Sequence, residues 1–236
     1  MRVELHMTRI FIDGSAGTTG LRIRERLMAR GDVELIALPE ESRKDECARR
    51  EALNRADVAF LCLPDAAAEE AVAMIENDHT AVIDTSTAHR TAPGWVYGFP
   101  EVGGLRERIR QSKRIANPGC HASGFIALIA PLVRAGLLGA GAQLTCFSLT
   151  GYSGGGKKMI AEYEGEERSP LLDAPRQYGL SQQHKHLTEM AAISGLNAPP
   201  CFCPIVADFY SGMEVSVPLF ASQLRGTPAQ IREIYR

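Results

Sequence analysis

Cys120 is the residue of this sequence that is best placed for covalent chemistry. It ends the segment 117–120, NPGC, and the apolar stretch His121–Leu132 that follows predicts a long helix. A helix N-terminus lowers the pKa of a thiol, because the helix dipole and the unpaired N–H groups stabilise the thiolate. A thiolate is the form that attacks an acyl group. Cys120 is therefore a candidate nucleophile, with a structural cysteine as the alternative.

Two histidines offer general acid–base chemistry. His184 and His186 stand one residue apart in a chain with six histidines, and imidazole titrates near neutral pH. A structural histidine is the first alternative, and a zinc site with Cys201 and Cys203 is the second. The zinc hypothesis is disfavoured because structural sites usually space their cysteines by about two to four residues, and the segment 201–206 has the composition of a core strand. We predict no metal.

A glycine-rich segment near the start of the chain predicts a nucleotide site. The apolar run 9–13 predicts a strand, residues 14–20 read GSAGTTG, a helical pattern runs to Gly31, and a second strand is predicted at 33–39. Such a turn lets a pyrophosphate approach the backbone at a helix N-terminus. The spacing is GxxGxxG rather than GxGxxG, so a simple tight turn is the alternative. The predicted contacts are Gly14, Ser15, Ala16, Gly17, Thr18, Thr19 and Gly20.

The next segments continue this alternation of strands and helices. Residues 57–64 form an apolar run typical of a strand in a parallel sheet, a helical pattern covers 68–75, and Ala81–Asp84 predicts another strand. The order predicts an α/β doubly wound parallel sheet. Cys62 lies inside the predicted strand, where we interpret it as part of the core.

Two further segments bear on the cofactor. An NAD enzyme commonly has an acidic residue about 20 positions beyond the glycines, whereas here the second strand is followed by Ser42, Arg43 and Lys44, which suit the 2′-phosphate of NADP. The alternative is that Arg43 and Lys44 only solvate a helix start. A second glycine cluster, residues 151–158, follows a strand predicted at 143–150. Its Gly154 and Gly155 are predicted cofactor contacts, with a flexible surface loop as the alternative.

The composition limits the classes of function. The chain has 236 residues, which is enough for one large domain or two smaller ones. Its net charge of −2 gives no sign of nucleic-acid or anionic-membrane binding. No apolar run approaches the roughly 20 residues that span a bilayer. The first seven residues resemble a short extension rather than a signal peptide. Six scattered cysteines do not resemble a disulfide scaffold, so we expect reduced thiols and a cytoplasmic location.

Five segments together carry a family resemblance: GSAGTTG at 14–20, VIDTSTAHR at 82–90, VYGFPE at 96–101, ANPGCHASG at 116–124 and HKHLTEM at 184–190. In these segments the chain resembles the N-acetyl-γ-glutamyl-phosphate reductases of arginine biosynthesis, in particular their short form. The resemblance implies a Rossmann-type NADP-binding domain at 8–118 and an α+β catalytic and oligomerisation domain at 119–236. It also implies a homo-oligomer, a tetramer or a dimer.

The resemblance further implies the reaction, in which NADPH reduces N-acetyl-γ-glutamyl phosphate to the semialdehyde and phosphate is released. Cys120 would hold the acyl group as a thioester, and His186, three residues before Glu189, would be the general acid/base in preference to His184. Arg90 would bind the substrate phosphate, with a surface arginine near the domain junction as the alternative. The remaining predicted contacts are Asn117 and His184 for the substrate and Pro64 and Ser86 for the cofactor.

The sequence also departs from the family pattern. His121 stands where an aromatic residue is usual and Ser123 where threonine is usual, and we interpret both changes as mild. The closing glycine- and asparagine-rich segment and final helix of the family have no counterpart after the helix predicted at 228–236. We therefore expect the second domain to be C-terminally incomplete, with the strand predicted at 214–221 short of neighbours. The alternatives are a related dehydrogenase acting on aspartyl or aminoadipyl phosphate and a truncated nucleotide-binding chain without catalysis.

Overall fold

The computed structural model describes residues 7–15 and 17–236 of the chain. The chain forms two compact units, one ending at Pro118 and the other spanning Gly119–Arg236. Each unit has its own β-sheet, and the boundary lies two residues before Cys120. Across the described residues, no helix is both long and apolar enough to cross a membrane.

The first unit alternates strands and helices. Its elements are β1 (Thr8–Asp13), α1 (Thr18–Met28), β2 (Val33–Ile36), α2 (Glu46–Arg55), β3 (Val58–Leu61), α3 (Asp65–Ala73), β4 (Ala81–Asp84), β5 (Val96–Tyr97), α4 (Leu105–Gln111) and β6 (Arg114–Ala116).

Six parallel strands form the sheet of this unit, in the order β2-β1-β3-β4-β6-β5. From β1 the chain builds outward on both sides, with β2 on one side and β3 and β4 on the other. In such a sheet ligands bind outside the carboxyl ends of the strands at the point where the order reverses. The predicted doubly wound α/β sheet is confirmed, and it places the described turn residues Gly14, Ser15 and Gly17 at this point.

The core of the first unit explains why these segments become strands and helices. Ile10, Phe11 and Ile12 are all buried in β1, as expected for a strand covered on both faces. Leu53 of α2 and Ala71 of α3 are fully buried in the cluster that packs on this sheet. The apolar residues of the helices therefore pack them against the strands. The turn after β1 is left at the carboxyl end of this strand.

The second unit begins with the helix that carries Cys120. Its elements are α5 (Cys120–Arg134), β7 (Thr145–Gly151), α6 (Gly156–Glu164), β8 (Arg176–Gln177), α7 (Leu187–Ser194), β9 (Cys201–Ala207), β10 (Met213–Ser216) and α8 (Pro228–Ile234).

Four strands form the sheet of the second unit, in the order β10-β7-β9-β8. Strands β7 and β9 are parallel, and the two outer strands are antiparallel to their neighbours. Helix α5 packs against α7 and against β10. A Cβ on Gly124 of α5 would lie 2.5 Å from Cγ2 of Val215, so a glycine is needed for the helix to approach the sheet this closely.

Several predicted boundaries need correction. Strand β3 ends at Leu61, so Cys62 follows the strand instead of lying inside it. Strand β10 ends at Ser216 rather than at Ala221, since Pro218 has no N–H to continue the ladder. The second glycine cluster is not an irregular loop: residues 152–155 form a 3₁₀ turn that leads into α6.

Candidate active site

Cys120 is the first residue of α5, and its side chain is exposed. Gly119 is the N-cap residue, with an extended backbone at φ −71° and ψ 146°. A glycine cap has no side chain to bond the first N–H groups, so the positive end of the helix dipole stays available to the thiol. This is the geometry that the segment NPGC predicts.

Glu189 joins the cysteine end of α5 to the histidine segment. Its carboxylate is 1% exposed, and Oε2 accepts the backbone N–H of Gly119 at 3.1 Å. Oε1 lies 4.0 Å from Nε2 of His186. One buried carboxylate therefore connects the residue before Cys120 to the predicted acid/base, and the sequence signal for it was its position three residues after His186.

The two histidines of the segment 184–186 have different environments. The backbone N–H of His186 donates to Nδ1 of His184 at 3.2 Å, which fixes that nitrogen as an acceptor. The pKa of His184 is lowered, first by burial and then by the charge of Lys185. His184 therefore favours a neutral form with its proton on Nε2, whereas His186 has the Glu189 carboxylate beside its ring.

His121 is a residue whose importance the sequence analysis missed. Its imidazole is 4% exposed and hydrogen-bonds to Oγ of Ser148 at 2.7 Å through Nδ1 and to the hydroxyl of Tyr178 at 2.9 Å through Nε2. Its ring centroid lies 5.9 Å from that of His184 and 5.6 Å from that of His186. The change that we interpreted as mild therefore lies in the centre of the histidine cluster.

The pKa shifts of His121 and Tyr178 keep these two side chains uncharged near neutral pH. Burial lowers the pKa of His121 to about 4, and the charge of His184 contributes in the same direction. Burial raises the pKa of Tyr178 to about 12, and the negative charge of Cys120 adds to the shift. At neutral pH His121 is therefore a neutral imidazole. Tyr178 is a protonated phenol whose pKa depends in part on the charge of Cys120.

A cavity of about 200 Å³ adjoins this cluster. Its lining includes His121, Tyr178 and His184, and also Gly154 and Gly155. These two glycines are therefore brought to the histidine cluster, in agreement with a ligand-binding role for the second glycine segment. Their role as cofactor contacts stays a prediction.

Two other thiols lie in environments that disfavour the thiolate. Burial raises the pKa of Cys62 to about 11 and that of Cys146 to about 12. Cys201 and Cys203 lie on β9. In the part of the chain that the structure describes, no three His, Cys, Asp or Glu side chains come together to form a metal site.

The glycine-rich turn of the first unit is tightly constrained. Gly14 has a φ of +81°, and a Cβ there would lie 2.3 Å from the carbonyl oxygen of Cys62. A Cβ on Gly20 would lie 2.6 Å from the carbonyl oxygen of Gly14, which also accepts the N–H of Gly17 at 3.0 Å. The predicted contact Ala16 lies outside the described residues, and so do the side chains of Thr18 and Thr19.

The remaining predicted cofactor contacts lie at carboxyl ends of strands. Arg43 and Lys44 are exposed after the 3₁₀ turn of Glu40–Ser42 that follows β2, and Nη1 of Arg43 lies 3.9 Å from Glu40. Pro64 is the exposed N-cap residue of α3. Ser86 is buried and donates its hydroxyl to Asp84 at 2.6 Å.

Arg90 and Asn117 meet in the first unit. Arg90 is 8% exposed, so the interpretation as a surface arginine is wrong. Its guanidinium donates to the carbonyl oxygens of Asn117 at 3.1 Å and Thr85 at 3.2 Å. Arg90 thus holds the backbone that leads to NPGC, while the Asn117 side chain is exposed and donates to the carbonyl of Pro118. Substrate binding by either residue stays a prediction.

Comparison with known proteins relates both units to one group of enzymes. Residues 9–112 match the family model described as semialdehyde dehydrogenase, NAD binding domain. Residues 120–236 match the model described as semialdehyde dehydrogenase, dimerisation domain. The boundary between the two matches agrees with the boundary between the compact units.

Curated relatives are about half identical to this chain over the residues that align. N-acetyl-gamma-glutamyl-phosphate reductase of Chelativorans sp. (strain BNC1) is 52% identical, over 93% of this chain and 71% of the relative. N-acetyl-gamma-glutamyl-phosphate reductase 2 of Pseudomonas putida is 49% identical, over 96% of this chain and 72% of the relative.

Solved structures with the same fold are more distant in sequence. Aspartate semialdehyde dehydrogenase from Francisella tularensis has a TM-score of 0.66 at 13% identity, over 97% of this chain and 80% of that chain. Aspartate semialdehyde dehydrogenase from Candida albicans, solved with NADP, has a TM-score of 0.63 at 17% identity, over 97% of this chain and 76% of that chain. At this identity the likeness supports the fold and nothing finer.

Proposed function

We propose a function from the premise that the chain belongs to the N-acetyl-γ-glutamyl-phosphate reductase family. The chain reduces N-acetyl-γ-glutamyl phosphate to N-acetylglutamate 5-semialdehyde with NADPH and releases phosphate, a step of arginine biosynthesis. The observation that carries this function is Cys120 at the N-terminus of α5, with the Glu189 carboxylate linking Gly119 to His186.

Cys120 is the nucleophile of this reaction. The thiolate at the helix N-terminus attacks the acyl carbon, and the C–O bond to phosphate breaks, which leaves a thioester on Cys120. After hydride transfer to the acyl carbon, the thiohemiacetal on Cys120 collapses, and the aldehyde leaves as the thiolate is restored. Its exposed position supports this role, because the acyl carbon has to reach the sulfur.

His186 is the general acid/base, and Glu189 orients it. The carboxylate 4.0 Å from Nε2 stabilises the imidazolium that forms when His186 takes a proton, and its other oxygen is held by Gly119. His184 is less suited to this role, since its Nδ1 accepts a backbone N–H and burial lowers its pKa. We assign it to substrate binding at the cavity wall.

The residues of the first unit fit NADP. The turn after β1 has glycines where a Cβ would collide with backbone, and Gly17 caps α1 without a side chain, so the helix N-terminus can accept a pyrophosphate. Asp13, the buried carboxylate beside this turn, is neutralised by Arg49 at 2.9 Å and so repels an anion less. Arg43 and Lys44 would hold the 2′-phosphate. Bound in its reduced form, NADPH, the cofactor would supply the hydride that reduces the acyl carbon.

The second unit also supports assembly with another copy of the chain. On β7 and β9 the side chains that point away from α5 include Phe147, which is 41% exposed, Leu149, Cys203 and Ile205. An apolar sheet face of this kind is typical of a protein interface, and the matching family model is described as a dimerisation domain. We propose that two copies associate through this face, as a dimer or as half of a tetramer.

We also propose a cytoplasmic location. All six cysteines are free thiols, which suits a reducing compartment.

The test is phosphate-dependent reduction of NADP⁺ with N-acetylglutamate semialdehyde, compared with aspartate semialdehyde and with NAD⁺. We expect activity on the acetylated aldehyde with NADP⁺ and none after Cys120→Ser. Activity on aspartate semialdehyde alone would assign the chain to a related dehydrogenase. Inactivity with both aldehydes, together with retained NADPH binding, would leave a nucleotide-binding chain without catalysis and contradict the proposal.

A further inference from the structure

A buried imidazole directly follows the nucleophile in the sequence and has no part in the mechanism above. His121 follows Cys120 in the first turn of α5 and hydrogen-bonds to two residues that are distant in sequence, Ser148 of β7 and Tyr178. Ser148 is fully buried, so it anchors the imidazole to the sheet. The edge of the Phe202 ring and the rings of His184 and His186 surround His121 and restrict its rotation.

The hydrogen bonds of His121 restrict which of its ring nitrogens carries the proton. A neutral imidazole has one N–H donor and one acceptor nitrogen, and both nitrogens are engaged. If Ser148 donates to Nδ1, then Nε2–H donates to the oxygen of Tyr178, and the phenol proton is left to point elsewhere. The lowered pKa of His121 and the raised pKa of Tyr178 keep both groups uncharged near neutral pH.

Tyr178 is well placed to use that proton. Tyr178 lines the 200 Å³ cavity together with Gly154 and Gly155, and its hydroxyl lies 2.9 Å from the imidazole that follows Cys120 in the chain. A fixed neutral donor in a partly buried site stabilises a developing oxyanion without a cost of reorganisation. The other hydroxyl of the cavity wall, that of Thr150, already donates to the carbonyl of Gly151 at 3.3 Å.

We propose that His121 is a positioning residue, which fixes the Tyr178 hydroxyl beside Cys120 so that it donates a hydrogen bond to the oxygen of the acyl group. This inference rests on the proposed function, because it needs Cys120 to carry an acyl group. Ser148 anchors His121, His121 orients Tyr178, and Tyr178 is the residue that touches the substrate. The position after Cys120 therefore acts on the reaction through a side chain 57 residues away.

The test is a double-mutant cycle of His121→Phe and Tyr178→Phe. Loss of one oxyanion donor lowers kcat by about 10²-fold or more, so we expect each single variant to show a fall of this order with KM changed by less than about threefold. Because both substitutions remove the same hydrogen bond, we expect the double variant to be no slower than Tyr178→Phe alone. Effects that multiply in the double variant, or a His121→Phe variant within twofold of the original kcat, would overturn the proposal.

Two further variants separate positioning from folding. His121→Gln places an amide near the position of Nε2 and should recover at least a tenth of the kcat, whereas a packing role alone predicts that Gln is worse than Phe. His79→Phe makes the same exchange at an exposed histidine and should leave kcat unchanged. If His121→Phe does not fold, the cycle is run with His121→Ala and the same readings apply.

A second assay keeps the proposal distinct from the proposed function. Acylation of Cys120 by p-nitrophenyl acetate releases a coloured product and needs neither NADPH nor the natural substrate. We expect this burst to slow in parallel in the single and double variants. Activity of the original chain on neither semialdehyde would contradict the proposed function, whereas an unchanged acylation rate in both single variants would contradict the role of His121.

Discussion

Two helices of this protein begin with the same backbone geometry and different partners. Helices α1 and α5 each follow a parallel strand, and their N-cap residues, Gly17 and Gly119, have extended backbones at φ −74° and φ −71°. Helix α2 instead has a side-chain cap, since Asp45 accepts the N–H of Ala48 at 2.8 Å. A glycine cap leaves the first N–H groups and the positive end of the dipole available for another partner.

The two units use this available helix end differently. At α5 the chain supplies both partners itself: the thiol of Cys120 and the buried carboxylate of Glu189, which binds the N–H of Gly119. At α1 the first turn has no acidic residue, and the glycines bring backbone N–H groups to the sheet edge. Under the proposed function, the helix dipole stabilises the Cys120 thiolate in one unit and would bind a cofactor phosphate in the other. Substitutions at the two caps test this difference.

The largest effect is expected from Cys120→Ser. A serine hydroxyl is not ionised at the helix N-terminus, so the step that forms the acyl-enzyme is lost and kcat should fall by at least about 10³-fold. Because the side chain is exposed, the free energy of unfolding should change by less than about 0.5 kcal/mol. Phosphate-dependent NADP⁺ reduction and urea unfolding measure the two quantities. Retention of more than a tenth of the activity would show that the nucleophile lies elsewhere.

The next largest effect separates the two histidines that the sequence left as alternatives. His186→Asn removes the group beside Glu189, and kcat should fall by about 10² to 10⁴-fold, as is typical for loss of a general acid/base. In His184→Asn the amide oxygen can still accept the N–H of His186, so we expect a smaller fall, of about tenfold, with a higher KM. The pH profiles of kcat check the assignment. Larger loss in His184→Asn than in His186→Asn would reverse it.

At α1 we expect two smaller effects from Gly17→Asp, a gain of stability and a loss of NADPH affinity. An aspartate cap bonds the first N–H groups and favours the dipole, so the unit should gain about 0.5 kcal/mol of stability. The same carboxylate repels a pyrophosphate, so NADPH should bind about tenfold more weakly or worse. Fluorescence titration and thermal unfolding measure the pair. Gly17→Ala, whose Cβ would lie 3.3 Å from the Gly14 carbonyl, and Gly31→Asp, in open surroundings, are the matched controls.

An unchanged NADPH affinity in Gly17→Asp, with the stability gain observed, would show that the N-terminus of α1 is not the anion site. The proposed anion site at the N-terminus of α1 would then be wrong, whereas the proposed thiolate site at α5 would be unaffected.

The sequence predicted the sheet of the first unit well because its signals are local. The apolar runs at 9–13 and 81–84 form strands with buried residues, and the segment NPGC marks the start of α5 at its first residue. The ends of β2 and β10 were less well predicted, since strand ends depend on where a neighbouring strand stops. Short strands such as β5 and β8, with two residues each, have no periodic signal to detect.

The site was predictable where one residue type in one position decides the chemistry, and less so where contacts decide it. Cys120 and the HxH segment could be chosen as candidates from the sequence pattern and the family resemblance, and their roles stay predictions. The burial of Arg90 depends on the carbonyl oxygens of Thr85 and Asn117. The contacts of His121 depend on Ser148 of β7 and on Tyr178, which are 27 and 57 positions away in the chain. A substitution of one ring for another looks mild in sequence, but an imidazole adds two hydrogen-bonding nitrogens that a benzene ring lacks.

The last prediction concerns how stability depends on pH. The first turn of α5 should contribute to this dependence, and the first turn of α1 should not. His121 in the first turn of α5 has a folded pKa of about 4 against an ordinary value of 6.5. Between these values the unfolded chain binds more protons, so stability rises with pH and is lost as pH falls from about 6.5 toward 4, by up to about 3 kcal/mol. The first turn of α1 contains no titratable side chain and adds no such dependence.

His121→Phe should therefore be less dependent on pH than the original chain when urea unfolding is measured between about pH 5 and pH 7. His184, whose pKa is also lowered, remains and keeps part of the slope. His79→Phe, at an exposed position, should leave the slope unchanged. If His121→Phe and the original chain lose stability equally as the pH falls, then the imidazole is not held neutral in the fold, and the uncharged hydrogen-bonded path from Ser148 to Tyr178 does not form.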